Sequence, residues 1–364
     1  MMKIIKVTVF LVLFYLPVLF AGQTQGIWVV RDALTSKSVL KSIIQNAQLL
    51  NCNKIFLQFR ALGSVYYPTK LDIPQIDVDA KLLKNLFEAA HQNNIEVHAW
   101  LNVCYVWSNK DPRIPANHIL NKSKNAIITP IDSLMEPEGY FLHPNDKSNL
   151  SEVKSIIKEL ADLYKIDGIH LDYFRYPKES HHTSRTGRTE FKIINGIDPL
   201  DPLKDPEKFI KARNIESFEY LQKSYRDFLR DELTEALKEI HNFIDENNLN
   251  LQLSVAVKPN PIAAKHHFLQ DWSSWLDSSL CDFVVLMNYN PELSKFVKNL
   301  EITKENTDIS KIMVGIAAYN ISEEEVVKRI NLVKNSSYGG YALFSYNYIS
   351  SQQKLFKQLK LAVK

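Results

Sequence analysis

Eight apolar runs of strand length recur along this chain, and between them lie segments with helical periodicity. The runs are GIWVV (26–30), KIFLQF (54–59), EVHAWLNV (96–103), GIHLDYF (168–174), QLSVAVK (252–258), DFVVLMNY (282–289), IMVGIAAY (312–319) and YALFSYN (341–347). Apolar residues at helical spacing fill 38–50, 79–93, 150–164, 207–247, 269–276, 293–303, 322–334 and 351–363. Near-continuously apolar strands that alternate with helices call for a parallel sheet covered by helices. Eight such units close most economically into an α/β fold, a (β/α)8 TIM barrel. A doubly wound open sheet is the alternative, but no glycine-rich phosphate turn supports it.

No repeat beyond this alternation and no low-complexity linker divides the 364 residues, so one barrel domain over 25–364 is expected. Two connections are long, from residue 104 to 149 after the third strand and from 175 to 206 after the fourth. Both follow strand C-terminal ends, the end at which barrels of this kind carry their sites.

Residues 1–25, MMKIIKVTVFLVLFYLPVLFAGQTQ, have two lysines, an apolar stretch and then small and polar residues. Residues 1–21 read as a secretory signal peptide, with an uncleaved anchor as the alternative. A secreted, periplasmic or cell-envelope location is therefore expected. With 44 basic and 41 acidic residues and no basic cluster, no nucleic-acid partner is expected, and no membrane partner beyond that N-terminal segment. Cys52, Cys104 and Cys281 cannot all pair within one chain, and small buried hydrophobes are the favoured reading rather than a disulfide framework.

Strand side chains alternate, which sorts the candidate site residues. In GIHLDYF the apolar set Ile169, Leu171 and Tyr173 should face the helices, so His170 and Asp172 point inward, with Asp172 at the barrel mouth. The third strand likewise turns His98, Trp100 and Asn102 inward, and the second turns Gln58 and Arg60. Arg60 there would hold a carboxylate of the protein or of a ligand. The fifth strand presents Ser254, Ala256 and Lys258; the sixth presents Met287 and Tyr289, with Asn288 equally open. Arg175 and Tyr176 begin the loop after Asp172. A mouth lined by aromatic rings, fixed polar groups and a carboxylate suits a sugar, so the expected partner is a polysaccharide or other glycan.

Glycoside hydrolysis normally needs two carboxyl groups. Asp172 fits the unprotonated one. The fifth to eighth strands end without Asp or Glu, so the acid must come from a loop. Asp132, Glu136, Glu138, Glu179, Glu190 and Asp271 are the candidates, with Glu136 and Glu138 preferred because their loop neighbours Asp172's strand. No metal and no cofactor are expected: HAWLN lacks a His-x-His pair, His181-His182 has no clear third ligand, and no GxSxG or phosphate loop occurs.

GIWVV, IFLQFRALGSVYYP, VHAWLNV, YKIDGIHLDYFRYP, QDWSSWL before DFVVLMNY, and GGYALFSYN together resemble the glycosyl hydrolase-like family ten. The resemblance covers residues 26–349. It implies a (β/α)8 barrel distantly similar to α-amylase and α-galactosidase barrels, a secreted or envelope location, and O-glycosidase activity. It makes peptidoglycan glycan strands stripped of peptides the first substrate to try, and it puts Asp172 where related barrels carry the nucleophile. Two departures stand out. Asp172 is followed directly by Tyr173 where many members have Asp-Asp-Tyr, and Gly63-Ser64 stands in place of the family's usual Gly-Asp. A glycan-binding barrel without catalysis is the alternative reading.

Overall fold

The computed structural model describes residues 23–108, 113–130, 139–178 and 182–363. Its centre is a closed barrel of parallel strands: β1 (Thr24–Val29), β2 (Lys54–Ala61), β3 (Glu96–Asn102), β4 (Gly168–Asp172), β5 (Gln252–Val257), β6 (Phe283–Met287), β7 (Ile312–Ala317) and β8 (Gly340–Phe344). Each pairs with the next in sequence, and β8 closes on β1. The fold is a (β/α)8 TIM barrel.

The principal covering helices are α1 (Lys37–Leu49), α2 (Ala80–Gln92), α3 (Lys147–Tyr164), α4 (Arg185–Asn195), α5 (Ile215–Glu246), α6 (Trp272–Asp277), α7 (Leu293–Asn306), α8 (Glu323–Lys334) and α9 (Gln353–Ala362). The sequence determines their starts and faces locally. The Asp79 carboxylate accepts the Leu82 N–H at 3.0 Å to begin α2, which then buries Leu83, Leu86, Phe87 and Ala90 at helical spacing. Withdrawing each of the larger side chains, Leu83, Leu86 and Phe87, from water contributes about 1.5–3 kcal/mol.

Inside the barrel the side chains form tiers. Lys54, His98 and Phe283 occupy the N-terminal end, where Lys54 Nζ lies 2.8 Å from His98 Nε2 and 4.9 Å from the Phe283 ring centre. Gly168 makes this tier possible, because a Cβ there would stand 2.4 Å from His98 Nδ1. Above it sit Phe56 and His170, their rings 4.3 Å apart.

The two long connections do not run separately over the surface. From the first, short strands Tyr105–Trp107 and Ile127–Pro130 each pair with Tyr140–Leu142, and Ile127–Pro130 also pairs with His182–Thr183 from the second. The two excursions thus share one small antiparallel sheet. Among the described residues no helix is long and apolar enough to cross a membrane. All three cysteines are free and buried, and burial pushes each thiol up to about 12.

Candidate active site

The C-terminal strand ends enclose a cavity of about 520 Å³. Adjacent strands fill its floor: Trp28 from β1, Gln58 from β2, Trp100 and Asn102 from β3, Asp172 from β4, Ala256 from β5, Met287 from β6 and Phe344 from β8. Lys258 and Tyr289 enter just past β5 and β6, and Arg31, Tyr105, Tyr173, Arg175 and Tyr319 complete the rim. A smaller cavity of about 380 Å³ opens at the opposite end beside Lys54 and Glu96, away from the loops.

Asp172 is 7% exposed and holds two donors. Its Oδ2 accepts the Trp100 indole N–H at 3.1 Å, and its Oδ1 accepts the Tyr173 backbone N–H at 2.6 Å. Burial raises the carboxyl above the ordinary aspartate value. The Tyr173 N–H, the Arg175 charge, the indole and the Lys258 charge oppose that rise. Tyr289 is pushed well above its usual range, first by burial and then by the Asp172 charge, so it stays a phenol and a potential donor. Across the floor Arg31 donates through its backbone N–H and Nη1 to Gln58 Oε1, and Gln58 Nε2 donates to Asn102 Oδ1 at 3.3 Å.

The rings form a wall. Tyr105 and Tyr173 stack with centres 4.8 Å apart, and Arg175 lies over Tyr173, Phe141 and Phe268 at 5.0, 5.3 and 5.2 Å. Tyr173 was expected to face the helices. It instead adopts φ 49°, which breaks strand geometry directly after Asp172 and turns the ring to the rim.

Of the sequence-derived candidates, Trp100, Asn102, Asp172, Arg175, Lys258 and Tyr289 meet at the cavity; Arg60, His98, His170 and Tyr176 do not line it. For Arg60 the reason is a bulge: Gln58 pairs with Trp100 but Arg60 pairs with Leu101, so one extra residue reverses the alternation. Phe59 and Arg60 consequently both leave the interior. Phe59 packs on Phe87 and Tyr164, while Arg60 bonds Glu152 and Asn149 of α3 and the carbonyls of Asn102 and Val103. Arg60 holds a carboxylate, and that carboxylate belongs to the protein.

His98 and His170 do point inward but sit too deep. His98 lies in the lowest tier. His170 Nε2 accepts the Trp28 indole N–H at 3.1 Å, leaving Nδ1–H to donate to Ser254 Oγ at 2.9 Å. Burial drops its pKa well below the usual value, so it is a neutral core imidazole. Tyr176 is 1% exposed, with its hydroxyl 3.2 Å from His143 Nδ1. Asn288 is buried against Phe296 and Asn299, which leaves Met287 at the end of β6 and Tyr289 just past it as the residues presented to the cavity. Asp132, Glu136, Glu138, Glu179 and His181 lie outside the described residues. Among the described acid candidates, Asp271 is paired with Lys265 at 2.7 Å and Glu190 stands beside His143, so neither lines the cavity.

Residues 23–331 match the model of the family described as Glycosyl hydrolase-like 10. This chain belongs to the glycosyl hydrolase-like 10 family. Its curated relatives include the Glycosyl hydrolase DigH of Escherichia coli K12, 20% identical over 317 residues, which cover 78% of this chain and 66% of that protein. The solved PgaB (BpsB) glycoside hydrolase domain from Bordetella bronchiseptica superposes with a TM-score of 0.68 at 15% identity, covering 94% of this chain and 99% of the domain. A beta-galactosidase from Bacillus circulans sp. alkalophilus gives 0.62 at 13% identity, over 94% and 55% of the two chains. These superpositions establish the shared barrel.

In this glycosyl hydrolase-like 10 chain, strand parity had found Trp100, Asn102, Asp172 and Lys258 but not Trp28 or Arg31. The signal for Trp28 was present in GIWVV, where Ile27 and Val29 face the helices and leave Trp28 inward. Among the described residues lining the cavity, Asp172 is the one carboxylate. The floor therefore supplies one group able to attack or to activate water, surrounded by indole, phenol, amide and cationic donors.

Proposed function

We propose that the chain is a secreted glycoside hydrolase that cleaves O-glycosidic bonds of an extracellular or cell-envelope glycan, with Asp172 as nucleophile or water-activating base. The observation that carries this reading is Asp172 itself, a carboxylate held by two donors on the floor of an aromatic cavity at the C-terminal end of a barrel. A charge fixed by Trp100 and Tyr173 is oriented before substrate arrives, and the stacked Tyr105–Tyr173 wall suits the apolar face of a pyranose. Arg175, Lys258, Asn102 and Tyr289 would read its hydroxyls.

The leaving oxygen needs a proton, and Glu136 or Glu138 in the connection between β3 and β4 is proposed as its source. The apolar 1–21 segment supports export, and the family resemblance makes peptidoglycan glycan strands stripped of peptides the first substrate to try. The test compares wild type with Asp172→Asn on such strands and on a panel of soluble polysaccharides, reading product release and binding separately. Loss of turnover with retained binding supports the assignment; turnover undiminished in the variant rejects it.

A second reading, a glycan-binding barrel without catalysis, is favoured by the single carboxylate among the described lining residues. It requires wild type to bind a glycan and release no product, with Glu136→Gln and Glu138→Gln leaving that binding unchanged.

A further inference from the structure

Beside the mouth but outside the cavity, three segments far apart in sequence bring His143, Glu190 and Glu232 together, with one donor atom of each within 4.8 Å of the others. His143 lies just before α3, Glu190 on α4 and Glu232 on α5. The imidazole side chain is 1% exposed, and its Nε2 is 3.3 Å from Glu232 Oε2 and 3.8 Å from Glu190 Oε2. Gly187 allows α4 to close on this ring, since a Cβ there would come to 2.9 Å from His143 Cε1.

Two further observations bear on what the cluster is for. Among the described residues Glu190 Oε2 is sealed from solvent and has no hydrogen-bond partner, an arrangement that costs free energy unless something positive satisfies it. On the far side of the ring, His143 Nδ1 is 3.2 Å from the buried Tyr176 hydroxyl. When Nδ1–H donates to that oxygen, the Nε2 lone pair faces the two carboxylates, so three electron-pair donors converge. Asn145 Nδ2 donates to Glu232 Oε2 at 2.9 Å and holds that side chain in place.

We propose that His143, Glu190 and Glu232 bind one divalent cation of the Zn2+ class, with water in the fourth position. Around a tetrahedral Zn2+ with bonds of about 2.0–2.2 Å, donors lie about 3.4 Å apart. The observed 3.3 and 3.8 Å separations are close to that, and Glu190, whose side chain is 44% exposed, has room to complete the shell. One imidazole and two carboxylates suit Zn2+, whereas Ca2+ asks for six to eight oxygens. Tyr176 then becomes the outer partner that fixes the imidazole tautomer. The ion ties the excursion after β4 to α5 and to the start of α3, holding the loop that follows Asp172.

The test uses the full chain, stripped with chelator and titrated with ZnCl2 and separately with CaCl2 by calorimetry, with bound metal counted by mass spectrometry. One equivalent of Zn2+, no comparable Ca2+ binding and a Zn2+-dependent rise in Tm are expected. Glu190→Gln, a half-exposed change whose folding circular dichroism checks, should weaken Zn2+ by about tenfold or more, and Tyr176→Phe by about tenfold. Substoichiometric Zn2+ on wild type, or binding as tight in a Glu190→Gln/Glu232→Gln double variant, overturns the site.

Discussion

The Trp100 indole N–H donates to Asp172 Oδ2 across 3.1 Å, joining the side chains at the ends of two neighbouring strands. Removing a donor to the charged form disfavours that form. Trp100→Phe therefore raises the Asp172 carboxyl further, and the acid limb of the kcat/KM profile should move to higher pH while the folded state persists. An acid limb that stays where it was would mean that Asp172 is not the titrating group.

Arg60 and Glu152 form a buried pair at 2.8 Å, with side chains 0% and 7% exposed. Cutting one partner strands the other charge in the interior, which costs about 3–5 kcal/mol. Arg60→Ala should lower the urea midpoint accordingly. Arg60→Met combined with Glu152→Leu should recover most of that loss, because two well-packed apolar groups avoid the desolvation penalty. Neither change should alter glycan affinity in protein that remains folded, since Arg60 does not reach the cavity.

These two pairs mark what could and could not be read from the chain. Strand count and parity follow directly from apolar spacing, so the closed barrel and the inward direction of Trp100 and Asp172 were legible. Depth along a strand was not, because His98 and His170 alternate correctly yet sit one or two tiers below the mouth. Nor was the bulge at Phe59, which no residue type in KIFLQF announces and which alone moved Arg60 from the mouth to α3. Tyr176 was misplaced for another reason: a loop residue has no parity, and its ring is positioned by His143, which lies 33 residues away.

The lowest tier predicts an acid-sensitive fold. His98 is held down to about 4 by burial and the nearby Lys54 charge, with Glu96 opposing; Lys54, Glu96, Asp167, Phe56 and Phe283 are the groups that face it. In the unfolded chain the same imidazole titrates near 6.5. Between those values the unfolded state binds the extra proton, so stability is fully present above about 6.5 and falls as pH drops toward 4. His170, also buried and neutral, acts in the same direction. Urea unfolding at a series of pH values should show this slope, and His98→Gln should flatten part of it. An unchanged slope would exclude His98 as a source.

Tyr319 is 48% exposed on the cavity rim, its ring edge-on to Phe344 at 6.1 Å. An aromatic face left open above a sugar-sized cavity can stack on a pyranose far from the bond being broken. Such a contact is equal in ground and transition states, so losing it should raise KM and leave kcat nearly unchanged. An aromatic contact worth about 0.5–1.5 kcal/mol corresponds to a rise of roughly two- to tenfold for Tyr319→Ala. Tyr319→Phe keeps the ring and should behave as wild type. If Tyr319→Ala instead lowers kcat and leaves KM alone, the ring contributes only once the substrate is distorted, and Tyr319 belongs over the reacting sugar rather than at the rim.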